Sequence, residues 1–481
     1  VETADRGTEK GGNSGFIVKI IRHLLQQAWR SKSTPVFFTN KPYIIYFSDP
    51  EPLKMKNSSL SQNKNFKILL FLLAVVLSIL ALHYRKPDAF TRPQFWAEDG
   101  LIFFGQCYLT DIESIFTTHA GYLHLIPRII TWVTFHTVSF EHTPLAYNIA
   151  SLLLFLGLVA FIWFRTKSDA FTRFYMILTL SLVPVGNEIV LTITNAQWYL
   201  NLFIPLIFLT GYNKKYFVYD GVLLFLVALT GPFSVIYFPI ICAIVWYRSR
   251  TYGLWKNERW LFFVYMLAAV IQLVALALAT TRVPNSWGVM ERITHAPRLL
   301  YLQLTNPLGI PKYYEEIHWK LFVVLLLGLL GWIFLCWRKF TREKNATPLF
   351  FIVAAVVSVA ANIYVLAPDM WAFLNPISNG MRYFFCPCVL FLWSVLAYTV
   401  APAQTTETPG KKEKAIPMPL LRNIGLLLLF TYYTIMMVKT IPPFILEDLN
   451  WPEQAKKLEN FHKGRIEIPI NPRPINVVFE K

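Results

Sequence analysis

ILLFLLAVVLSILAL, residues 68–82, decides the class of this chain. It is an almost unbroken run of Leu, Val, Ile, Phe and Ala, preceded by Lys64 and Lys67. A helix rises 1.5 Å per residue, so about 20 such residues cross a bilayer. Similar segments recur at about 121–139, 147–164, 172–186, 197–211, 216–230, 232–247, 259–281, 319–337, 347–367, 383–400 and 421–438. The chain has 481 residues, 55% of them hydrophobic, and a mean hydropathy of +0.44. A soluble protein of this length needs far more charge to cover its surface. The expected fold is an all-α polytopic membrane protein with about 11–13 transmembrane helices, a long first external loop and a short external C-terminal tail.

The formal charge of +17 raises the question of nucleic acid. The Lys and Arg, however, sit in short clusters between apolar segments, as positive-inside topology requires, and no nucleic-acid partner is expected. The cysteines Cys107, Cys242, Cys336, Cys386 and Cys388 follow no ligand spacing, and most fall in or beside apolar runs, so they read as small buried hydrophobes. Residues 1–54 read as a peripheral extension in which GFIVKIIRHLLQQAW suits an amphipathic surface helix. Met55 and Lys56, then a polar stretch and an apolar run, look like the start of a membrane protein. The transmembrane domain is therefore expected over 55–440, with 84–120 as its first external loop and 441–481 as a small external cap over the site.

The basic linkers GYNKK, YRSRTYGLWKNER, WRKFTREK and KKEK all fall on the cytoplasmic side if the second half crosses once per segment. The loops at 282–318 and 368–382 then face outward. The first half breaks this parity, because one crossing per segment would put Arg165, Lys167 and Arg173 outside. One segment must not cross simply. The choice is 121–139, the most polar candidate, with Gly121, His124, Pro127, Arg128 and His136. The alternative is a broken helix near VPVGNEIVLTITNAQW, 183–198, and parity does not choose between them.

Three external regions carry unusual functional groups. The first runs from RPQFWAEDGLIFFGQ (92–106) to HAGYLHLIPR, with Glu98, Asp99, His119, Tyr122, His124 and Arg128. The second, GNEIVLTITNAQWYLN, holds Asn187, Glu188, Asn195, Gln197 and Trp198. The third comprises Arg282, Arg292, Lys312 and Tyr313, with Asn379, Arg382 and Tyr383 from SNGMRYF. A carboxylate pair at a membrane surface suits general-base work: desolvation and a like-charged neighbour raise one pKa while the other group stays ionised. Such a base deprotonates a sugar hydroxyl attacking an anomeric carbon. Arg and Lys on the same surface suit a lipid phosphate. The plainer readings are that Glu98-Asp99-Gly100 caps a helix, that the aromatics form a membrane-interface belt, and that Arg382 snorkels. His119, His124 and His136 are too loosely spaced to specify a metal site.

The order WAEDG, GYLHLIPR, TNAQW, NGMRYF across most of residues 68–400 resembles the polytopic GT-C glycosyltransferases, and among them the bacterial inner-membrane enzymes that add glucose to O-antigen in lipopolysaccharide or to related surface glycans. The resemblance implies a GT-C-like fold and a polyprenyl-phosphate monosaccharide as donor. It also implies a surface glycan or lipid-linked acceptor, membrane lipids as surroundings, and an upstream carrier-loading glycosyltransferase and flippase as partners. It places Asp99 as the base, with Glu98 orienting it or substituting for it. Arg382 and Tyr383, with Arg282, Arg292 or Lys312, would face the carrier phosphate; His119, Tyr122, His124, Arg128 and Glu188 would line the substrate site. Asn195, Gln197 and Trp198 would hold sugar or acceptor. The implied chemistry is one inverting displacement at the periplasmic face, without a tightly bound cofactor, its need for a divalent metal left open. Many relatives carry a large soluble C-terminal domain, whereas about 40 residues follow the last span here.

Other functions fit parts of this pattern. A flippase or transporter would show a continuous polar path and repeated halves. A glycan ligase or polymerase would lean on Arg and His more than on paired carboxylates, and a purely structural membrane protein would have no use for polar clusters on three external loops.

Overall fold

The computed structural model describes residues 63–211, 213–253, 255–279, 303, 319–343, 345–365, 374, 380–400 and 418–480. The extension expected at 1–54 and the cations Arg282, Arg292 and Lys312 lie outside the described residues. The chain is mostly helical. Among the described residues seven helices are long and apolar enough to cross a membrane: Lys64–Arg85, Phe140–Arg165, Glu258–Leu278, Val323–Glu343, Thr347–Tyr364, Arg382–Thr399 and Leu421–Thr440.

Helix α1 (Lys64–Arg85) shows how the apolar runs are used. Asn63 caps it, its side chain accepting from the Asn65 amide at 2.9 Å. Its buried face carries Leu70, Ala74, Ser78, Ala81 and Leu82, spaced three to four apart, while Leu69, Leu72, Leu73, Val76 and Leu80 are exposed. A helix with its large apolar residues outward and smaller ones inward is built to sit in lipid. Ser78 meets Ser181 of α5 (Ala170–Leu182), with their hydroxyl oxygens 3.3 Å apart.

After α1 come a π-helical turn (Asp99–Phe104), α2 (Gly105–Thr110), α3 (Leu125–Thr137), α4 (Thr143–Arg165) and α5. Then follow α6 (Gln197–Leu200), α7 (Phe203–Thr210), α8 (Phe217–Ala228), α9 (Phe233–Ile236) and α10 (Phe238–Tyr252). The long helices α11 (Trp255–Leu278), α12 (Trp319–Glu343), α13 (Thr347–Val365), α14 (Arg382–Thr399) and α15 (Met418–Thr440) precede the tail. The candidate spans at 172–186, 197–211, 216–230 and 232–247 fold as shorter helices, as does 121–139, the segment expected not to cross simply. Pro184 disfavours helix at Val183 and α5 stops at Leu182; Gly231-Pro232 separates α8 from α9.

Two groups of contacts define the bundle's ends. At one, Arg165 grips Asp220 through two bonds of 2.6 and 2.8 Å, Arg248 pairs with Glu258 at 2.7 Å, and Arg422 reaches Asp169 at 3.2 Å. Lys339 donates to the last carbonyls of α14, Tyr398 and Val400. Lys67, Lys214 and Lys215 are exposed in the same connections. At the other end, Arg85 donates to the carbonyls of Val183 and Val185, and Phe444 N–H donates to Arg85 O at 2.8 Å. Helix α3 begins and finishes at this second end: Leu125 N–H donates to Leu229 O, and Phe140 O, just past its C-terminus, accepts from Trp451 in the tail. The segment 121–139 therefore does not run from end to end, which is what parity needs, and the helix break expected as the alternative, at 183–196, is present as well.

The tail, 441–480, forms α16 (Trp451–Glu459) and a hairpin in which β1 (Arg465–Pro469) pairs antiparallel with β2 (Asn476–Glu480), Arg465 opposite Glu480. Trp451, Ile470, Val477 and Phe479 form a buried cluster with Phe95, Phe103 and Phe104 of the first loop. Burying each ring stabilises by about 1.5–3 kcal/mol. The tail, expected as a cap over the site, packs behind the acidic turn, and among the described residues none of it lines the cavity described next.

Candidate functional site

A cavity of about 170 Å³ opens at the bundle end opposite the basic one. It gathers residues distant in sequence: Glu98 from the first loop, His119, Tyr122 and His124 before α3, Asn195, Gln197 and Trp198 around α6, and Arg382 with Tyr383 at the start of α14.

The backbone that presents Glu98 is pinned from behind. Trp96 bridges to Asn471, and Ala97 N–H donates to Asn471 O at 2.5 Å. Ala97 stands at φ 34, Ala120 at φ 53 and Leu191 at φ 53, left-handed values unusual for residues with a Cβ. Each lies beside one of the cavity's contributing stretches, and such strain collects where surrounding packing overrides local preference for function. Gly100 has no room for more: a Cβ there would meet Phe95 Cβ at 3.0 Å and Ile470 at 3.2 Å. Gly231, at φ +95, faces Gln197 Oε1, which a Cβ would meet at 2.5 Å.

The two carboxylates part company. Neighbouring residues in a helical turn do not face each other, and Asp99 opens the π-turn directly after Glu98. Glu98 lines the cavity; Asp99 does not. Asp99 is 3% exposed, and one of its oxygens accepts from Thr194 N at 2.9 Å and Thr194 Oγ1 at 2.5 Å. Burial pushes its pKa up to about 6, against the opposing pull of the Thr194 bonds and of Lys86. Lys86, buried and donating to Leu191 O at 3.1 Å, is itself pushed down to about 8 by burial, opposed by Asp99 and Asp88. The resemblance makes Asp99 the base; in the structure its carboxylate ties the acidic turn to the Thr194 loop, and Glu98 is the carboxylate that lines the cavity. Glu98 occupies the N-cap position of the π-turn and Asp99 its first turn, as the capping reading has it, but among the described residues Glu98 makes no side-chain cap bond.

Arg382 holds the opposite wall. Its Nη1 lies 2.6 Å from Glu188 Oε1 and 3.9 Å from Glu98 Oε1. The guanidinium expected to face a phosphate is thus already engaged by carboxylate. Burial raises the Glu188 pKa, with Arg382 opposing. Asn195 Nδ2 donates to Glu188 O at 2.8 Å, which leaves its Oδ1 buried without a donor. Trp198 stands edge-on to both Tyr383 and Phe233, 5.2 Å between ring centres in each case, and its buried Nε1 has no acceptor among the described residues.

His119 and His124 sit with ring centres 5.6 Å apart, His124 beside Tyr122 at 4.7 Å. Burial lowers both histidines, His124 strongly, and raises Tyr122 to about 12, so all three face the cavity uncharged near neutral pH. Arg128 is not at the cavity. It is a brace, its Nη2 donating to Gln106 Oε1 at 2.6 Å and its guanidinium lying 4.8 Å from the Phe103 ring centre. Among the described residues no three His, Cys, Asp or Glu converge as a metal-binding group.

Ser358, Asn362 and Cys386 also line the cavity and were not among the expected residues. A signal was present: Ser358 and Asn362 lie four apart within the apolar run of α13, hence on one helix face, and polar groups at such a position need an internal partner. Asn362 Nδ2 donates to Tyr383 O at 2.8 Å. Beneath them Tyr237 OH donates to Asn201 Oδ1 at 3.0 Å and lies 3.1 Å from Ser358 Oγ. Cys386 Sγ donates to Trp198 O at 2.9 Å; Cys107, Cys336, Cys386 and Cys388 are buried and Cys242 is half-buried, which fits their reading as small hydrophobes.

No family model, no curated protein and no solved structure matches the chain.

Proposed function

We propose that this protein is a GT-C-type glycosyltransferase. It transfers a monosaccharide, glucose by the resemblance, from a polyprenyl-phosphate carrier to a surface glycan such as O-antigen at the periplasmic face of a bacterial inner membrane. The reading rests on one observation: a carboxylate, a guanidinium, an indole N–H and neutral histidines converge on a cavity at the end of an apolar bundle opposite its Lys- and Arg-rich end. The positive-inside rule supports a cytoplasmic basic end and, with it, a cavity on the external side. Nucleotide sugars are made in the cytoplasm, so an external site calls for a lipid-linked donor. In this arrangement the shorter helices α5, α6–α7, α8 and α9–α10 join the seven long ones as eleven passes among the described residues.

In the proposed step Glu98 takes the proton from an acceptor hydroxyl as that oxygen bonds to the anomeric carbon from the face opposite the phosphate. The bond from the anomeric carbon to phosphate oxygen breaks, and its electron pair leaves with the polyprenyl phosphate, inverting the centre. Arg382 holds Glu98 and Glu188 in register, and the neutral histidines and Trp198 surround the ring.

Transfer of labelled sugar from polyprenyl-phosphate donors to glycan acceptors, measured with the full chain in nanodiscs, tests the reading. Glu98→Gln is expected to lower the rate about 10²- to 10⁴-fold, the contribution of a general base, while folding stays intact. Donor that is never consumed but changes leaflet in liposomes would replace the enzyme by a flippase.

A further inference from the structure

The cavity has an electrostatic preference that the proposed reaction alone does not specify. Among the described residues lining it, Arg382 is the one permanent cation. That charge is spent internally, because Glu188 stands 2.6 Å away behind it and Glu98 3.9 Å away within the cavity. The described groups therefore sum to two carboxylates against one guanidinium, beside uncharged imidazoles. Among the described residues the unpartnered atoms are of both kinds: Glu98 Oε2 and Asn195 Oδ1 are buried acceptors awaiting donors, and Trp198 Nε1 is a donor awaiting an acceptor. Trp198 is 8% exposed and Asn195 0%. A ligand whose hydroxyls both donate and accept satisfies this set; one that brings a further anion is opposed by the net negative charge of Glu98 and Glu188 against Arg382.

We propose that the cavity is the subsite for a sugar ring that is uncharged or amine-bearing, that it rejects uronates and phosphorylated sugars, and that Glu188 sets this filter by occupying Arg382. The proposal rests on the glycosyl reading of the cavity and adds the class of sugar. The donor's phosphate lies at the mouth, outside this subsite. One uncompensated charge about 5 Å from a bound carboxylate, in an effective dielectric near 20, corresponds to a discrimination of roughly 10²-fold.

The test compares methyl glucoside, methyl glucosaminide and methyl glucuronide by competition in saturation-transfer NMR, using the full chain in nanodiscs at pH 8. The glucoside and glucosaminide are expected to bind, with the glucuronide weaker by roughly 10²-fold. Glu188→Gln removes one carboxylate and frees the guanidinium fork, so the glucuronide is expected to gain at least tenfold relative to the glucoside. Equal binding of glucuronide and glucoside by the unmodified chain overturns the filter, whatever the variant does, and leaves the transferase reading in place. Absence of binding by all three overturns the subsite. Selective binding of the neutral and amine sugars without transfer from any polyprenyl-phosphate donor keeps the subsite and removes the reaction.

Discussion

Asp99→Asn separates a carboxylate that reacts from one that positions. In the structure the Asp99 oxygen holds two buried donors, Thr194 N at 2.9 Å and Thr194 Oγ1 at 2.5 Å, and does not reach the cavity. An asparagine carbonyl accepts both, and Lys86 keeps Asp88 as a counter-charge. The expected effect is therefore a loss of transfer within about tenfold, or roughly 1.4 kcal/mol of transition-state positioning. Asp99→Ala leaves both donors without an acceptor at about 1–3 kcal/mol each, roughly 2–6 kcal/mol together. It is expected to loosen the Thr194–Trp198 loop and to lower transfer about 10²-fold or more. Initial transfer rates in nanodiscs give the first readout; hydrogen–deuterium exchange over residues 188–200 gives the second, rising in the alanine variant and staying near wild type in the asparagine one. An Asp99→Asn protein that exchanges like wild type and is as inactive as Glu98→Gln refutes the reasoning and returns the base to Asp99.

The same residue carries a pH signature. A carboxyl raised from 3.8 to about 6 binds more protons folded than unfolded between those values, so its contribution to stability falls as pH rises from about 4 through 6, by up to about 3 kcal/mol. Thermal melting in detergent should show this fall in wild type and not in Asp99→Asn. Gly100→Ala inserts a methyl group 3.0 Å from Phe95 Cβ and 3.2 Å from Ile470, and is expected to lower stability by about 1–3 kcal/mol, read as a lower melting temperature. Arg382→Gln strands Glu188 and Glu98 and is expected to destabilise by about 3–5 kcal/mol, with Arg382→Gln/Glu188→Gln recovering part of the loss in a double-mutant cycle. Trp451→Ala empties the cluster with Phe95 and Phe104, ring centres 4.6 and 6.0 Å away, and is expected to cost about 3–5 kcal/mol and to expose the tail to limited proteolysis.

What residue order alone determined is the solvent and polarity of the molecule. Apolar runs such as 68–82 place a helix in lipid because every backbone group is satisfied within the segment, so length and composition suffice. The Lys and Arg clusters marked one end of the bundle for the same reason: the charges of Arg165, Arg248 and Arg422 belong to segment ends whatever partners they later find. The stretches WAEDG, TNAQW and RYF were also legible as polar breaks between apolar segments, and the fold brings Glu98, Asn195, Trp198 and Arg382 to one cavity. Only the tertiary structure decided which of two adjacent carboxylates faces it, because that depends on Thr194, 95 positions further on, donating to Asp99. It likewise decided that Arg382 is held by Glu188, 194 positions away, and that the tail lies behind the turn rather than over the opening. A local pattern reports which residues prefer water or lipid; pairing between distant side chains is set by how helices pack, and no periodicity encodes it.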